Sequence, residues 1–375
     1  MSKTSVSTDL PELKTLLVGI HGPLNTTNQV EGYIEEFWSL IDTLGLKYDE
    51  KLIIKLRSID KANYFTKGKL QEFKKYCDDN NIEEIVISER LTPLQSRNLE
   101  EILNCTVWDR EKLILEIFKN AAHSAEGKIQ VEMAEIEFLK TRLSGRGIEL
   151  AQQEGVLGIS KGPGETNKEM LKRYLAEKYR QAKKRLDTLK RARETQRKRR
   201  LGTKIPLICL IGYTNTGKSS LLNSLTHSQV EVEDKLFATL DTTTRELFID
   251  HKKIGLISDT VGFINNLPHH LIEAFKSTLD ELKYADLLLH VVDASSPMWE
   301  DQIKVVNKTL KELDVDKKIV LVFNKIDKLN RKELESLKKE AKDYEPNLFI
   351  HTKSKDGLIK ILNFFKKYKF NKEGK

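Results

Sequence analysis

At 375 residues, with 39% hydrophobic and 32% charged side chains, the chain suits two or three domains that each bury a core beneath a charged surface. No apolar run approaches the roughly 18 residues of a membrane-crossing helix, and residues 1–10 lack a basic stretch followed by an apolar one, so neither a transmembrane helix nor a secretory signal is expected and the cytoplasm is the expected location. The formal net charge of +8 is more informative in its distribution than in its size.

In the first region, apolar runs at 16–20, 52–56 and 85–87 alternate with helical patterns at 33–44, 69–77 and 93–103. That alternation predicts a small α/β domain with a parallel sheet, ending near residue 109. Nothing in it looks catalytic. Gly68 and Lys69 suit a phosphate contact or a helix-opening turn equally well. Cys77, Cys105 and Cys209 share no short spacing, which indicates structural thiols rather than a zinc site or a disulfide framework.

From 109 to 143 the spacing predicts one helix, uninterrupted apart from Gly127, with Leu113, Ile117, Ala121 and Ala125 on one apolar line and Val131, Ala134 and Phe138 continuing it. A second long helix is expected from about Asn167 to Arg200. The two suggest an antiparallel hairpin over 110–203, joined by a loop at 144–165 that holds six glycines and one proline. Arg146, Lys161 and the glycines of that loop suit close approach to phosphates, a plain connector being the alternative. Between Lys172 and Arg200, fourteen Lys/Arg face Glu177, Asp187 and Glu194, a local balance of +11 that leaves about −3 for the remainder. A nearly one-signed stripe repels itself and has the footprint of a nucleic-acid backbone site; the bland alternative is a solvated helix face.

The third region, 204–375, opens on an apolar run that breaks into Gly212-Tyr213-Thr214-Asn215-Thr216-Gly217-Lys218-Ser219. Strand, glycine loop and helix start are the pattern that curls backbone N–H groups around phosphates, with Lys218 reaching the β- and γ-phosphates and Ser219 offering a hydroxyl to Mg²⁺. The segment Phe237-Ala238-Thr239-Leu240-Asp241 continues into Thr242, Thr243 and Thr244, and a hydroxyl from Thr239 or Thr243 suits closure over Mg²⁺ and a γ-phosphate. At the end of a later strand, Asp259-Thr260-Val261-Gly262 supplies a carboxylate for Mg²⁺ through water and an N–H for the γ-phosphate. Asn324-Lys325-Ile326-Asp327 closes the apolar run at 319–323, at the edge where parallel sheets bind ligands. Asp327 can accept from guanine N1–H and the 2-amino group together, and adenine has no such pair of donors. The expected ligand is therefore GTP, with weak ATP binding. Further strands at 246–249, 253–258, 287–292 and 348–350 complete a doubly wound, three-layer sheet.

These segments together resemble the translation-factor-related GTPases, and more narrowly the HflX family. The narrower likeness rests on Gly68-Lys69, the run from Leu91 to Leu99, Asp109-Arg110, Gln130-Val131-Glu132-Met133-Ala134, Gly162-Pro163-Gly164-Glu165-Thr166 and Gly212-Tyr213-Thr214-Asn215. The resemblance implies a G domain preceded by an α/β subdomain and a long helical hairpin, which bind the large ribosomal subunit and its RNA near the peptidyl-transferase centre. Some members split stalled ribosomes; this chain ends soon after a final helix at 359–368, so binding is expected ahead of splitting. By the same likeness Ser219 and Thr239 hold Mg²⁺, Thr239 being preferred over Thr243. Lys218, Thr239 and Gly262 serve hydrolysis, and His351-Thr352-Lys353 forms the last base-contacting loop, departing from the usual Ser-Ala-Lys. The expected form is a monomer.

After Gly262, where many GTPases place a glutamine that orients water, stands Phe263, whose ring can do no such thing. Intrinsic hydrolysis is expected to be slow. The alternatives are a nucleotide-gated RNA-binding module with little turnover, a tRNA-modification GTPase, for which no catalytic cysteine or cofactor motif is found, and an RNA-dependent ATPase, which Asp327 opposes.

Overall fold

The computed structural model describes residues 13–23, 30–143, 167–202, 205–226, 235–237, 240, 242–265, 267–268, 271, 279–368 and 370. They form two compact units, Met1–Glu116 with Lys140–Lys172 and Ile117–Leu139 with Arg173–Lys375.

The first unit is built on four parallel strands, β1 (Thr15–His21), β2 (Glu50–Lys55), β3 (Glu84–Ile87) and β4 (Thr106–Trp108), in the order β2-β1-β3-β4. Helices α1 (Val30–Leu44), α2 (Lys67–Asn80) and α3 (Pro93–Leu103) are the crossovers that parallel strands require. Leu16, Val18 and Ile20 of β1 pack with Ile85 and Ile87 of β3, Phe65, Phe73 and Leu99 in one apolar core. Helix α3 starts on a reciprocal cap: the Gln95 N–H donates to Thr92 Oγ1 at 3.2 Å and the Thr92 N–H to Gln95 Oε1 at 2.9 Å. Gly68 lies within the first turn of α2 and Lys69 pairs with Glu72 at 2.8 Å, which is the helix-opening reading. Asp109 is buried because it accepts from the Leu91 and Lys112 N–H groups and pairs with Arg142 at 2.7 Å. Arg110, also buried, pairs with Glu36 and lies 4.6 Å over the Tyr33 ring. Cys77 and Cys105 are buried thiols, pushed up by burial to about 11 and about 12.

One helix is expected over 109–143; the structure has two, α4 (Arg110–Ala121) and α5 (Ala125–Arg142). The apolar spacing runs across the junction, but Ser124 interrupts it. Its hydroxyl accepts from the Gly127 N–H at 2.9 Å and so caps a new helix. Ile129 and Met133 of α5 pack on Ala182 and Leu186 of α6 (Asn167–Gly202), and Arg185 pairs with Glu132 at 2.6 Å. The glycine-rich loop at 144–165 lies outside the described residues.

The second unit holds a six-stranded sheet in the order β10-β9-β8-β5-β7-β6, from β5 (Leu207–Gly212), β6 (Thr243–Ile249), β7 (Lys252–Asp259), β8 (Leu287–Asp293), β9 (Ile319–Asn324) and β10 (Asn347–Phe349). It is parallel except for β6, which runs antiparallel on the β7 edge. Alternate side chains serve two cores. Ile208, Leu210, Leu287 and Leu289 meet Leu221, Leu222 and Leu225 of α7 (Lys218–Thr226) and Ile361 and Phe365 of α10 (Ile359–Lys367). Val292, Leu321 and Phe323 meet Trp299 and Ile303 of α8 (Trp299–Glu312) and Leu337 of α9 (Arg331–Glu340). The result is three layers, with β5 wholly buried and the ends of β5, β7, β8 and β9 side by side. β6 begins three residues earlier than expected and contains Thr243, paired with Asp259 in the ladder.

Candidate functional site

The strand ends bring the phosphate loop, the 259–262 segment and the 324–327 segment together. Gly212 ends β5 at φ +148°, and a side chain there would overlap the Val291 carbonyl oxygen of β8. Gly217 sits at φ +91°, and a methyl group there would overlap the Asn324 amide. Glycine is required at both positions by backbone conformation and by close approach. Within the loop, Thr216 Oγ1 donates to the Tyr213 carbonyl at 3.0 Å, and exposed Asn215 adopts φ +57°.

Lys218 opens α7, and its buried ammonium donates to the carbonyls of Tyr213 at 2.7 Å and Gly212 at 3.2 Å. Burial lowers its pKa to about 8; Asp259 opposes that shift and Lys325 adds to it. His290, buried on β8, is pushed down to about 3 by burial and then by the Lys218 charge, so it is neutral. The structure gives Lys218 a linkage with a clear sign. Burial puts the Lys218 ammonium near its titration above pH 8, so a polyanion bound against it would hold the proton, and such binding should take up a proton and weaken about tenfold per pH unit. Calorimetry at pH 8.5 in buffers of different ionisation enthalpy checks this, because a binding enthalpy independent of buffer contradicts it.

Ser219 follows, its hydroxyl donating to Asp259 Oδ2 at 2.6 Å. Thr260, fully buried, donates from Oγ1 to the Leu210 carbonyl at 2.6 Å and locks the 259–262 segment to β5. Val261 is buried. Gly262 lies against Lys218, where an added Cβ would stand 2.9 Å from Nζ and 2.8 Å from Thr214 Cγ2. Phe263 then pairs with the phosphate loop: its N–H donates to the Gly212 carbonyl at 3.1 Å and its carbonyl accepts from the Thr214 N–H at 2.8 Å. Its ring is only 2% exposed, turned into the protein.

On the far side, the buried Asn324 amide donates from Nδ2 to the Thr216 carbonyl at 2.9 Å. Lys325, at φ +62°, donates to the Asn215 carbonyl at 2.6 Å and pairs with Asp293 at 2.8 Å. Ile326 packs into the core beneath. Asp327 pairs with Lys353 at 2.6 Å, and that partner is the leading cause of its lowered pKa. His351 and Thr352 complete the turn, held by an N–H from His351 to the Gly357 carbonyl and by Ser224 donating to the Thr352 carbonyl. Leu240 is buried, as is Phe237, whose ring meets Phe118 of α4 edge-on at 4.6 Å. Ala238, Thr239 and Asp241 lie outside the described residues. Two residues of this region escape a sequence reading: Asp293, a carboxylate ending an apolar strand, and Phe118, distant in the chain.

A doubly wound sheet with this glycine cradle, buried lysine and paired Asn-Lys-x-Asp strand end defines a P-loop GTPase. Three family descriptions match in chain order: GTP-binding GTPase N-terminal over 31–119, GTP-binding GTPase Middle Region over 121–200, and 50S ribosome-binding GTPase over 207–325. GTPase HflX of Caldanaerobacter subterraneus subsp. tengcongensis is 41% identical over 88% of this chain and 76% of its own length. The corresponding protein of Lacrimispora saccharolytica is 40% identical over 95% and 83%, and that of Escherichia coli 40% over 79% and 70%. The chain belongs to the HflX family of GTPases and binds guanine nucleotides. Among the described residues, no helix is long and apolar enough to cross a membrane.

Proposed function

We propose that this chain is a cytoplasmic, monomeric GTPase that docks on the large ribosomal subunit through its RNA and turns over GTP slowly until docked. The observation that carries docking is the charge of α6. Lys172, Arg173, Lys178, Lys183, Lys184 and Arg191 are exposed along one helix, and the family description names the 50S subunit. Such a stripe gains affinity by displacing counterions from phosphates.

At the nucleotide site, Gly212 to Ser219 cradle the phosphates, and Lys218 exchanges its two carbonyls for the β- and γ-phosphate oxygens. The Ser219 hydroxyl and the Asp259 carboxylate, 2.6 Å apart, are the hard oxygen donors that suit Mg²⁺. Ser219 and Thr239 would hold it directly and Asp259 through a water, and bound Mg²⁺ would neutralise charge on the phosphates. Gly262 offers its N–H to the γ-phosphate. Asp327 exchanges Lys353 for the two guanine donors, while Asn324 and Lys325 brace the phosphate loop and His351, Thr352 and Lys353 line the base. With the Phe263 ring buried, no side chain at that position orients the attacking water, which supports a slow intrinsic rate.

Co-sedimentation with purified large subunits, in a non-hydrolysable GTP analogue and in GDP across a salt series, tests the docking. Pelleting should be stronger with the analogue and fall steeply with salt. Absence of pelleting in both states at low salt contradicts it.

A further inference from the structure

We infer that Asp293 is a positioning residue that sets how long a guanine nucleotide stays bound, by holding Lys325 as a bridge from the 324–327 turn to the phosphate loop. The inference rests on the reading above, in which 212–219 take the phosphates and 324–327 the base. Asp293, Lys325 and Asn215 all belong to the second unit.

Three observations support it. The Asp293 carboxylate is itself fixed: Oδ1 accepts from the Ser295 N–H at 3.0 Å and from the Ser295 hydroxyl at 2.7 Å, which leaves Oδ2 to meet Lys325 at 2.8 Å. The Lys325 ammonium spans two segments, because it also donates to the Asn215 carbonyl at 2.6 Å. Its side chain is 19% exposed and that of Asp293 17%, so solvent screens the pair weakly. The backbone brings the two together. Asp293 lies opposite Asn324 in the β8–β9 ladder, and the Ala294 N–H donates to the Asn324 carbonyl at 2.8 Å. Lys325 follows at φ +62°, and Asn215 at the other end of the bridge stands at φ +57°. Both are left-handed conformations that a residue other than glycine keeps only where its surroundings impose them.

The consequence is specific. With the carboxylate in place, lysine and loop are ordered before a nucleotide arrives; without it, binding must order them, and the lost affinity appears chiefly as faster release. GDP and GTP share the base and the inner phosphates, so both should be affected alike. Asp293→Asn keeps the shape and an acceptor for the Ser295 N–H while removing the charge. In the full-length chain with Mg²⁺, release of a fluorescent GDP and of a fluorescent non-hydrolysable GTP analogue should each quicken about 10-fold, the worth of one charge-assisted hydrogen bond. Single-turnover hydrolysis at saturating GTP and the thermal midpoint of the nucleotide-free chain should stay close to wild type. Ser295→Ala, which retains the charge and loosens its hold, should give a smaller change in the same direction. Lys325→Met should quicken release at least as much as Asp293→Asn, and the double variant should add little, because both act through one contact. Release unchanged in Asp293→Asn but quickened in Lys325→Met would overturn the role of Asp293 and leave the reading of Lys325 intact; release unchanged in both would sink the bridge and that reading together. A lowered midpoint with slower hydrolysis in Asp293→Asn, or effects that add in the double variant, would show a merely structural role and overturn the proposal as well.

Discussion

Asp327→Asn should weaken GTP about 10²- to 10³-fold and strengthen xanthosine triphosphate. The carboxylate can accept from both N1–H and the 2-amino group of guanine, two charge-assisted hydrogen bonds worth about 1.5–3 kcal/mol each. An asparagine amide keeps one acceptor and turns a donor toward the other, leaving the guanine amino group unsatisfied. Xanthine carries a carbonyl where guanine carries that amino group, so the same amide pairs with it. The substitution also releases Lys353, now 2.6 Å from the carboxylate, but that lysine side chain is 74% exposed and its loss of a partner contributes little. Fluorescent-nucleotide titrations with both bases check the outcome. An unchanged preference for GTP would mean that Asp327 does not read the base, and an ATP-preferring wild type would remove the guanine assignment.

Gly212→Ala should destabilise the second unit by about 2–6 kcal/mol. Part of that arises from overpacking, typically 1–3 kcal/mol, and part from forcing a side chain into φ +148°, a further 1–3. The added methyl meets the Val291 carbonyl oxygen, which is sheet backbone and cannot rotate aside. Against a net stability of roughly 5–15 kcal/mol, the loss would show clearly as a lowered urea midpoint. Gly68→Ala is the contrasting case: its methyl meets nothing within 4 Å in the first turn of α2, and it should be neutral or stabilising by up to about 1 kcal/mol. Equal midpoints for the two variants contradict the account of the phosphate loop.

What the sequence reveals and what it conceals divide along the range of the interactions involved. The strand, loop and helix around Lys218 are legible because backbone conformation and apolar run lie within one short stretch. The end of β9, proposed above to read the base, is legible for the same reason, being an apolar strand closed by amide, lysine and carboxylate. The break at Ser124 is hidden because apolar spacing continues through it and the third helical position is Gly127, not the Glu or Gln of a capping box. β4 has three residues, too short to display a period. Thr243 and Thr239 are alike in sequence, and only strand pairing shows Thr243 opposite Asp259 in the ladder. The pairs Lys325–Asp293, Asp327–Lys353 and Phe118–Phe237 are made by the fold, between segments with no local sign of each other.

On the function proposed above, a guanine-reading site with a buried Phe263 is joined to a basic helix that docks on RNA, so that turnover waits on the ribosome. The most direct measurement is steady-state GTP turnover, with ATP as control, with and without purified large subunits over a salt series. Stimulation that is confined to GTP, reaches about 10³-fold or more as other trans-acting activation does, and declines as salt rises is the predicted result. GTP turnover that large subunits leave unchanged at low salt would contradict it.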